Sequence, residues 1–211
     1  MTQTLVLVGI GKSGLGEAII KRFAQANFKI ILMGRNQAKL LATQTKLATE
    51  QIPVTIQQLN LTDSDSIRRA FSAIDQIDVL IYNAVARRSV ESKDLSRQAA
   101  ERDFAITVGG AIDCVQAALS KLNPENSAIL FTGGGVALKP AIANSSMSLD
   151  KAALRNYAFG LAKNLQQRHV YVGTVTITQG VRPDSDYAPD KISAAYWQLY
   201  QVQPQNFEII I

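Results

Sequence analysis

A single cysteine in 211 residues excludes a disulfide framework and leaves no cysteine-built metal centre. That residue, Cys114, lies in the apolar-patterned run Ala111 to Leu119, where a small buried side chain is expected. There is also one histidine, His169, placed at the end of a helical segment just before a strand-like run, a position suited to capping rather than to base catalysis. No apolar span is long enough to cross a bilayer and no cleavable leader opens the chain, so a soluble, cytoplasmic protein without a membrane partner is expected. Acidic residues are fewer than basic ones, 17 against 22, giving a net charge of +5. The cations are nevertheless interleaved with acids, as in Glu91 to Asp103, and arginines pair only at Arg68-Arg69 and Arg87-Arg88. A nucleic-acid surface would concentrate them in a stripe with exposed aromatics, so that class of partner is set aside.

The segment Leu5-Val6-Leu7-Val8-Gly9-Ile10-Gly11-Lys12-Ser13-Gly14-Leu15-Gly16 carries the strongest signal. Leu5 to Val8 reads as a buried parallel strand, and Ala18, Ile19 and Phe23 continue at helical spacing beyond the glycines. Gly9 and Gly11 permit a tight strand-to-helix turn, Gly14 and Gly16 permit close helix packing, and the helix N-terminus offers free N–H groups to a dinucleotide pyrophosphate. Further strand-like runs occur at 29–33, 54–59, 79–82, 128–132, 171–178 and 207–211. Helical periodicity fills 14–26, 37–50, 63–74, 96–122, 146–167 and 191–200. Strict alternation of strand and helix demands parallel pairing with right-handed crossovers. The expected fold is therefore α/β: a doubly wound parallel sheet of about seven strands, helices on both faces, in one domain spanning residues 1–211.

In such sheets ligands lie beyond the carboxyl ends of the strands. After the second strand comes Gly34-Arg35-Asn36, with no acid to accept from an adenosine ribose. Arg35, aided by Lys12 of the glycine loop, suits a 2′-phosphate instead, so NADP(H) is expected in preference to NAD(H). After the fourth strand comes Tyr82-Asn83-Ala84-Val85, and after the fifth Thr132-Gly133-Gly134-Gly135.

A glycine-rich turn, Asn83-Ala84, a long helix, a strand ending near Thr132 and a helix bearing Lys151 follow one another in an order that resembles the short-chain dehydrogenase/reductase family over nearly the whole chain. The resemblance implies a Rossmann fold and NAD(P)(H)-dependent oxidation or reduction. It also implies a tyrosine proton donor four residues before a lysine, and a serine thirteen residues before the tyrosine that polarises the substrate carbonyl. Counted back from Lys151, those positions hold Met147 and Gly134, neither of which donates a proton. The family's helical asparagine falls at Thr107 and its adenine-contacting aspartate at Asn60. Lys151 alone of the tetrad remains, implied to hydrogen-bond the nicotinamide ribose and taken as the candidate catalytic residue. The glycine loop also departs from Thr-Gly-x-x-x-Gly-x-Gly, having Gly9-Ile10 at its start, and Val85 replaces the glycine of Asn-Ala-Gly. The chain reads as a divergent branch with its cofactor cradle kept: Gly9, Gly11, Lys12, Ser13, Gly14, Leu15, Gly16, Arg35, Asn60, Asn83, Ala84 and Lys151.

A literal Tyr187-x-x-x-Lys191 is discounted, because Pro189 separates the pair. Ser145, Ser146, Ser148, Thr132 and Tyr82 are the hydroxyls near enough in sequence to replace the lost donor, although serines at a helix start more often cap it. An apolar pocket of Met147, Val85 and Val136 is expected, under a short lid at Gly180-Val181-Arg182-Pro183-Asp184. Two readings stand: an NADP(H)-dependent oxidoreductase acting on a small carbonyl or alcohol with an atypical site, or a cofactor-binding sensor without turnover. The resemblance further implies a homodimer or homotetramer assembled through the helices at 96–122 and 146–167.

Overall fold

The side chains of the first strand already determine the architecture. In the computed structural model, which describes residues 2–211, β1 (Thr4–Val8) sends Leu5 and Leu7 into one apolar layer and Val6 and Val8 into the other, all four fully buried. β2 (Lys29–Gly34) repeats this with Ile30 and Leu32 against Ile31 and Met33, and β4 (Val79–Tyr82) with Val79 and Ile81 against Leu80 and Tyr82. Strands apolar on both faces must be covered on both faces, which is the condition of an interior parallel sheet. With β3 (Val54–Gln58), β5 (Ser127–Gly134), β6 (Val170–Ile177) and β7 (Glu208–Ile210), they form one sheet of seven strands in the order β3-β2-β1-β4-β5-β6-β7, every pairing parallel.

On one face lie α1 (Leu15–Ala24), α2 (Gln37–Thr49) and α7 (Pro189–Val202); on the other lie α3 (Ser64–Ser72), α4 (Arg97–Phe104), α5 (Gly110–Ala118) and α6 (Ser145–Leu165). Side-chain caps start three of them. Asn36 Oδ1 accepts from Lys39 N at 2.9 Å, Asp63 Oδ1 from the amides of Asp65 and Ser66, and Ser96 Oγ from Ala99 N. Along the α1–α7 seam the chain's one tryptophan, Trp197, meets Phe23 edge-on at 5.2 Å between ring centroids and is covered by the Arg22 guanidinium.

Three expected elements differ in detail. The helix expected over 96–122 is α4 and α5 joined through a π turn (Ala105–Gly109), and it ends at Ala118. Gly14 precedes its helix in a left-handed conformation instead of opening it. Pro189 begins α7, two residues before the expected start, because a proline fits the first helical position, where no amide hydrogen is required. Cys114 is fully buried, and burial among apolar side chains pushes its thiol well up.

Because β1 is flanked by β2 on one side and β4 on the other, the chain reverses its direction of travel across the sheet between β1 and β4. A crevice opens there, above the carboxyl ends of the strands.

Candidate functional site

The crevice has a volume of about 880 Å3. Its floor is the turn between β1 and α1. Gly9 has φ of +91°, and a Cβ placed there would stand 2.9 Å from the Ala84 backbone, so the turn presses directly on the chain leaving β4. A Cβ on Gly16 would stand 2.3 Å from the Ile10 carbonyl oxygen, which closes the same turn on itself. α1 has no side-chain cap, so its first amides are left to other acceptors.

Asn83 fixes this floor. Its Nδ2 donates to Gly9 O at 2.7 Å, while its Oδ1 accepts from Thr132 Oγ at 2.8 Å. With the Thr132 hydrogen committed, Tyr196 of α7 donates to the Thr132 oxygen at 2.7 Å. One buried chain of hydrogen bonds thus joins β1, β4, β5 and α7.

Beyond β2 the crevice is cationic. Lys12, Arg35 and Lys39 line it, and Lys39 Nζ donates to the carbonyl of Gly11. Lys39 was not singled out in the sequence; its place in the first turn of α2, set by the Asn36 cap, is what carries it back over the glycine loop. Asn60 lines the same end, but its Oδ1 accepts from the Thr62 amide and hydroxyl and holds its own loop.

At the other end stand Lys151, Met147, Gly134, Val85 and Val136. Lys151 is buried and donates to Thr132 O at 2.5 Å. Burial first, and then the facing charge of Arg87, push its ammonium down to about 8, against a smaller opposing pull from Asp150. Asp150 is itself pushed up to about 6 by burial, with the Thr107 hydroxyl countering. Thr107 sits in the π turn, fully buried, and accepts from Ala86 N at 3.1 Å. Asp103 also lines the crevice, where Arg88 grips it with two hydrogen bonds of 2.8 and 3.1 Å and Ser146 adds a third. The Arg88 bond is the main reason its carboxyl lies below the usual carboxylate range.

The structure therefore gathers Gly9, Gly11, Lys12, Ser13, Leu15, Arg35, Asn60, Asn83, Ala84 and Lys151 around one crevice, with Gly14 and Gly16 shaping the turn beneath. It does not bring the candidate hydroxyls to the reacting end. Ser146 is spent on Asp103, Ser145 shares a hydrogen bond with Ser92, and Ser148 donates to Asn144 O. Tyr82 donates to the Ile106 carbonyl, and burial pushes its phenol well up. Thr132 reaches the wall, but its proton belongs to Asn83. Tyr187 lies before α7 beside Thr178, while Lys191 pairs with Asp186, so that motif makes no helical pair. His169 lines a separate hollow with Glu125 and Asn126 at the opposite edge of the sheet. Gln179, Gly180 and Val181 edge the crevice.

Residues 4–182 match the family model described as short chain dehydrogenase. The chain belongs to the short-chain dehydrogenase/reductase family. It is 28% identical over 122 residues to a probable 2,4-dienoyl-CoA reductase of Bacillus subtilis, a match spanning 56% of this chain and 48% of that protein. An uncharacterised oxidoreductase of Staphylococcus aureus is 26% identical over 224 residues, covering 99% of this chain and 95% of its own. The solved short-chain dehydrogenase of Rhodopseudomonas palustris superposes with a TM-score of 0.85 at 23% identity, over 99% of this chain and 97% of that one. This is a family of NAD(P)(H)-dependent oxidoreductases, and in this crevice Gly134 and Met147 share the lining with Lys151. Among the described residues no helix is long and apolar enough to cross a membrane.

Proposed function

We propose that the protein is an NADP(H)-dependent oxidoreductase acting on a small carbonyl compound or alcohol. The observation that carries the cofactor preference is the cationic end of the crevice, where Lys12, Arg35 and Lys39 stand together and, among the described residues, no carboxylate lines that end. The left-handed Gly9 turn pressed against Ala84 supports a dinucleotide, because this close packing with the chain leaving β4 sets the turn and the uncapped first amides of α1 at the crevice floor. Gly9, Gly11, Ser13 and the first amides of α1 would hold the pyrophosphate, Arg35 with Lys12 and Lys39 the 2′-phosphate, and Asn83, Ala84 and Lys151 the nicotinamide half. Asn60 edges the adenosine side.

When bound, the nicotinamide supplies or accepts a hydride. The chain's own contribution is orientation. Asn83 fixes the loop floor, Lys151 retains two N–H groups beyond its bond to Thr132 for ribose hydroxyls, and Val85, Val136 and Met147 offer an apolar wall to the substrate's body. With no free hydroxyl at the reacting end, the proton is exchanged with water entering the open crevice. General acid catalysis by a side chain typically contributes about 10^2 to 10^4 in rate, so its loss leaves a slower reaction rather than none. A second reading, a cofactor-binding sensor without turnover, is favoured by the same pair Gly134 and Met147.

Calorimetric titration with NADPH and NADH tests the reading. NADPH should bind about tenfold or more tightly than NADH, an advantage reduced in Arg35→Ala and Lys12→Ala by the loss of charge-assisted bonds. Equal affinities would overturn the cofactor preference. We further propose a single domain over 1–211, a cytoplasmic setting, and association of two or four copies through α4–α5 and α6, where Phe104 and Leu149 stand exposed.

A further inference from the structure

The charge of the crevice is one-sided at both ends. Lys12, Arg35 and Lys39 occupy the end beyond β2, and Arg87 and Lys151 the end beyond β4 and β5; Asp103 is the one lining carboxylate. Its charge is already answered by Arg88 and Ser146.

Arg87 and Arg88 are neighbours in the loop that leaves β4, yet they differ in employment. Arg88 is locked into its bidentate pair with Asp103, which anchors the loop. Arg87 projects on the crevice side, exposed, and among the described residues it makes no ion pair and no side-chain hydrogen bond. Lys151 lines the same crevice, and the Arg87 charge opposes that of its ammonium. Asp103 is taken up by Arg88 and Ser146, and Asp150 offsets the repulsion at Lys151 only in part, so this pair of like charges is unfavourable in isolation and becomes favourable when an anion enters. The phosphates of a dinucleotide are accounted for elsewhere, by the glycine turn and the three cations beyond β2.

We propose that Arg87 binds a carboxylate carried by the substrate, so that the compound reduced or oxidised is an oxo or hydroxy acid whose apolar body rests on Val85, Val136 and Met147. A single planar guanidinium matches a carboxylate with two parallel hydrogen bonds, and Lys151, which lines the same crevice, adds its field. The inference rests on the crevice being the dinucleotide site, because it assigns Arg87 what the cofactor leaves over.

The test compares phenylglyoxylate with its neutral methyl ester, which share an apolar body and differ in charge. NADPH affinity is measured first by calorimetry, and each compound is then titrated onto the protein saturated with NADP+. Because Arg87 is solvent-exposed and partly screened, the expected preference for the acid is modest, about tenfold. Arg87→Gln should abolish that preference while leaving NADPH affinity in place, and Arg87→Lys should keep part of it. An acid that binds no more tightly than the ester, including no binding of either, overturns the proposal, as does a preference unchanged in Arg87→Gln. If NADPH itself fails to bind, the cofactor reading falls separately. Phenylglyoxylate titrated onto the free protein then decides: binding lost in Arg87→Gln supports the anion site, and no binding overturns it.

Discussion

The Thr132 hydroxyl donates to Asn83 Oδ1 at 2.8 Å while accepting from Tyr196, so a side chain at the end of β5 orients the amide that holds the Gly9 turn of β1. Thr132→Val preserves shape but strands the buried Asn83 oxygen and the Tyr196 hydroxyl. Leaving a buried polar group unpaired costs about 1–3 kcal/mol each, so a loss of roughly 3 kcal/mol is expected by urea denaturation, together with weaker NADPH binding. Tyr196→Phe leaves the Thr132–Asn83 bond intact and should cost only about 1 kcal/mol. Equal losses in the two variants would mean that the amide is held by something other than Thr132.

The buried Lys151 ammonium should make stability depend on alkaline pH. Burial lowers its ammonium from 10.5 to about 8, so between those values the unfolded chain keeps a proton that the folded chain has shed. Stability contributed by this group therefore rises as pH increases through that window, and its cost is fully present below about 8. Melting temperature measured from pH 7 to 10.5 should show this rise over the window set by the two pKa values, and Lys151→Met should flatten it. Affinity for NADPH should run the opposite way in the native protein, falling once the ammonium is lost.

Gly134 lies beside Lys151 with room to spare: a Cβ there would sit 3.7 Å from Lys151 Cγ and 3.7 Å from Val136 Cγ2, ordinary contact distances. Gly134→Ser combined with Met147→Tyr places two hydroxyls next to a lysine already in position. Supplying a general acid should raise kcat for NADPH-dependent carbonyl reduction by about 10^2 or more. Activity appearing only in the double variant would identify the native protein as the sensor. A fall below native activity would show that the vacant side-chain volume is used by the substrate.

Asp103 ties the loop after β4 to α4 and α6 through Arg88 and Ser146. The Arg88 hydrogen bond holds its carboxyl below the ordinary 3.8. Its contribution is thus present above 3.8 and lost as pH falls through the lowered folded value. Asp103→Asn should lower the melting temperature at neutral pH, and the difference from the native protein should vanish on acidification. The same variant should loosen the wall that carries Val85 and Arg87, weakening substrate binding more than NADPH binding.

The layers of this fold were legible because each rests on local chemistry. Alternating apolar pairs such as Leu5 and Leu7 against Val6 and Val8 require two covered faces, and caps such as Asp63 and Ser96 mark helix starts. The glycine turn and Asn83 could be placed because each follows a strand end, where an open parallel sheet collects its ligands, and Lys151 because the family resemblance puts a lysine on the helix that became α6. Lys39 escaped notice because its role depends on the angle at which α2 leaves its cap, and nothing in the sequence fixes that angle. The π turn was equally hidden: Ala105 to Gly109 keeps a helical pattern, and only the fold brings Thr107 within it to the Ala86 amide. The serines at the start of α6 illustrate the converse, since proximity to Lys151 along the chain said nothing of the side to which their hydroxyls turn. Their partners, Asp103 and Ser92, come from more than forty residues away.

Trp197, set between Phe23 and Phe28 beneath Arg22, makes the protein its own optical probe. Excited at wavelengths where tyrosine is silent, all emission comes from the seam between α1 and α7, on one face of the sheet alone. A denaturation followed by that emission reports the release of this helical layer, whereas circular dichroism reports both layers together. Coincidence or separation of the two curves therefore reveals whether the two sides of the sheet melt as one unit.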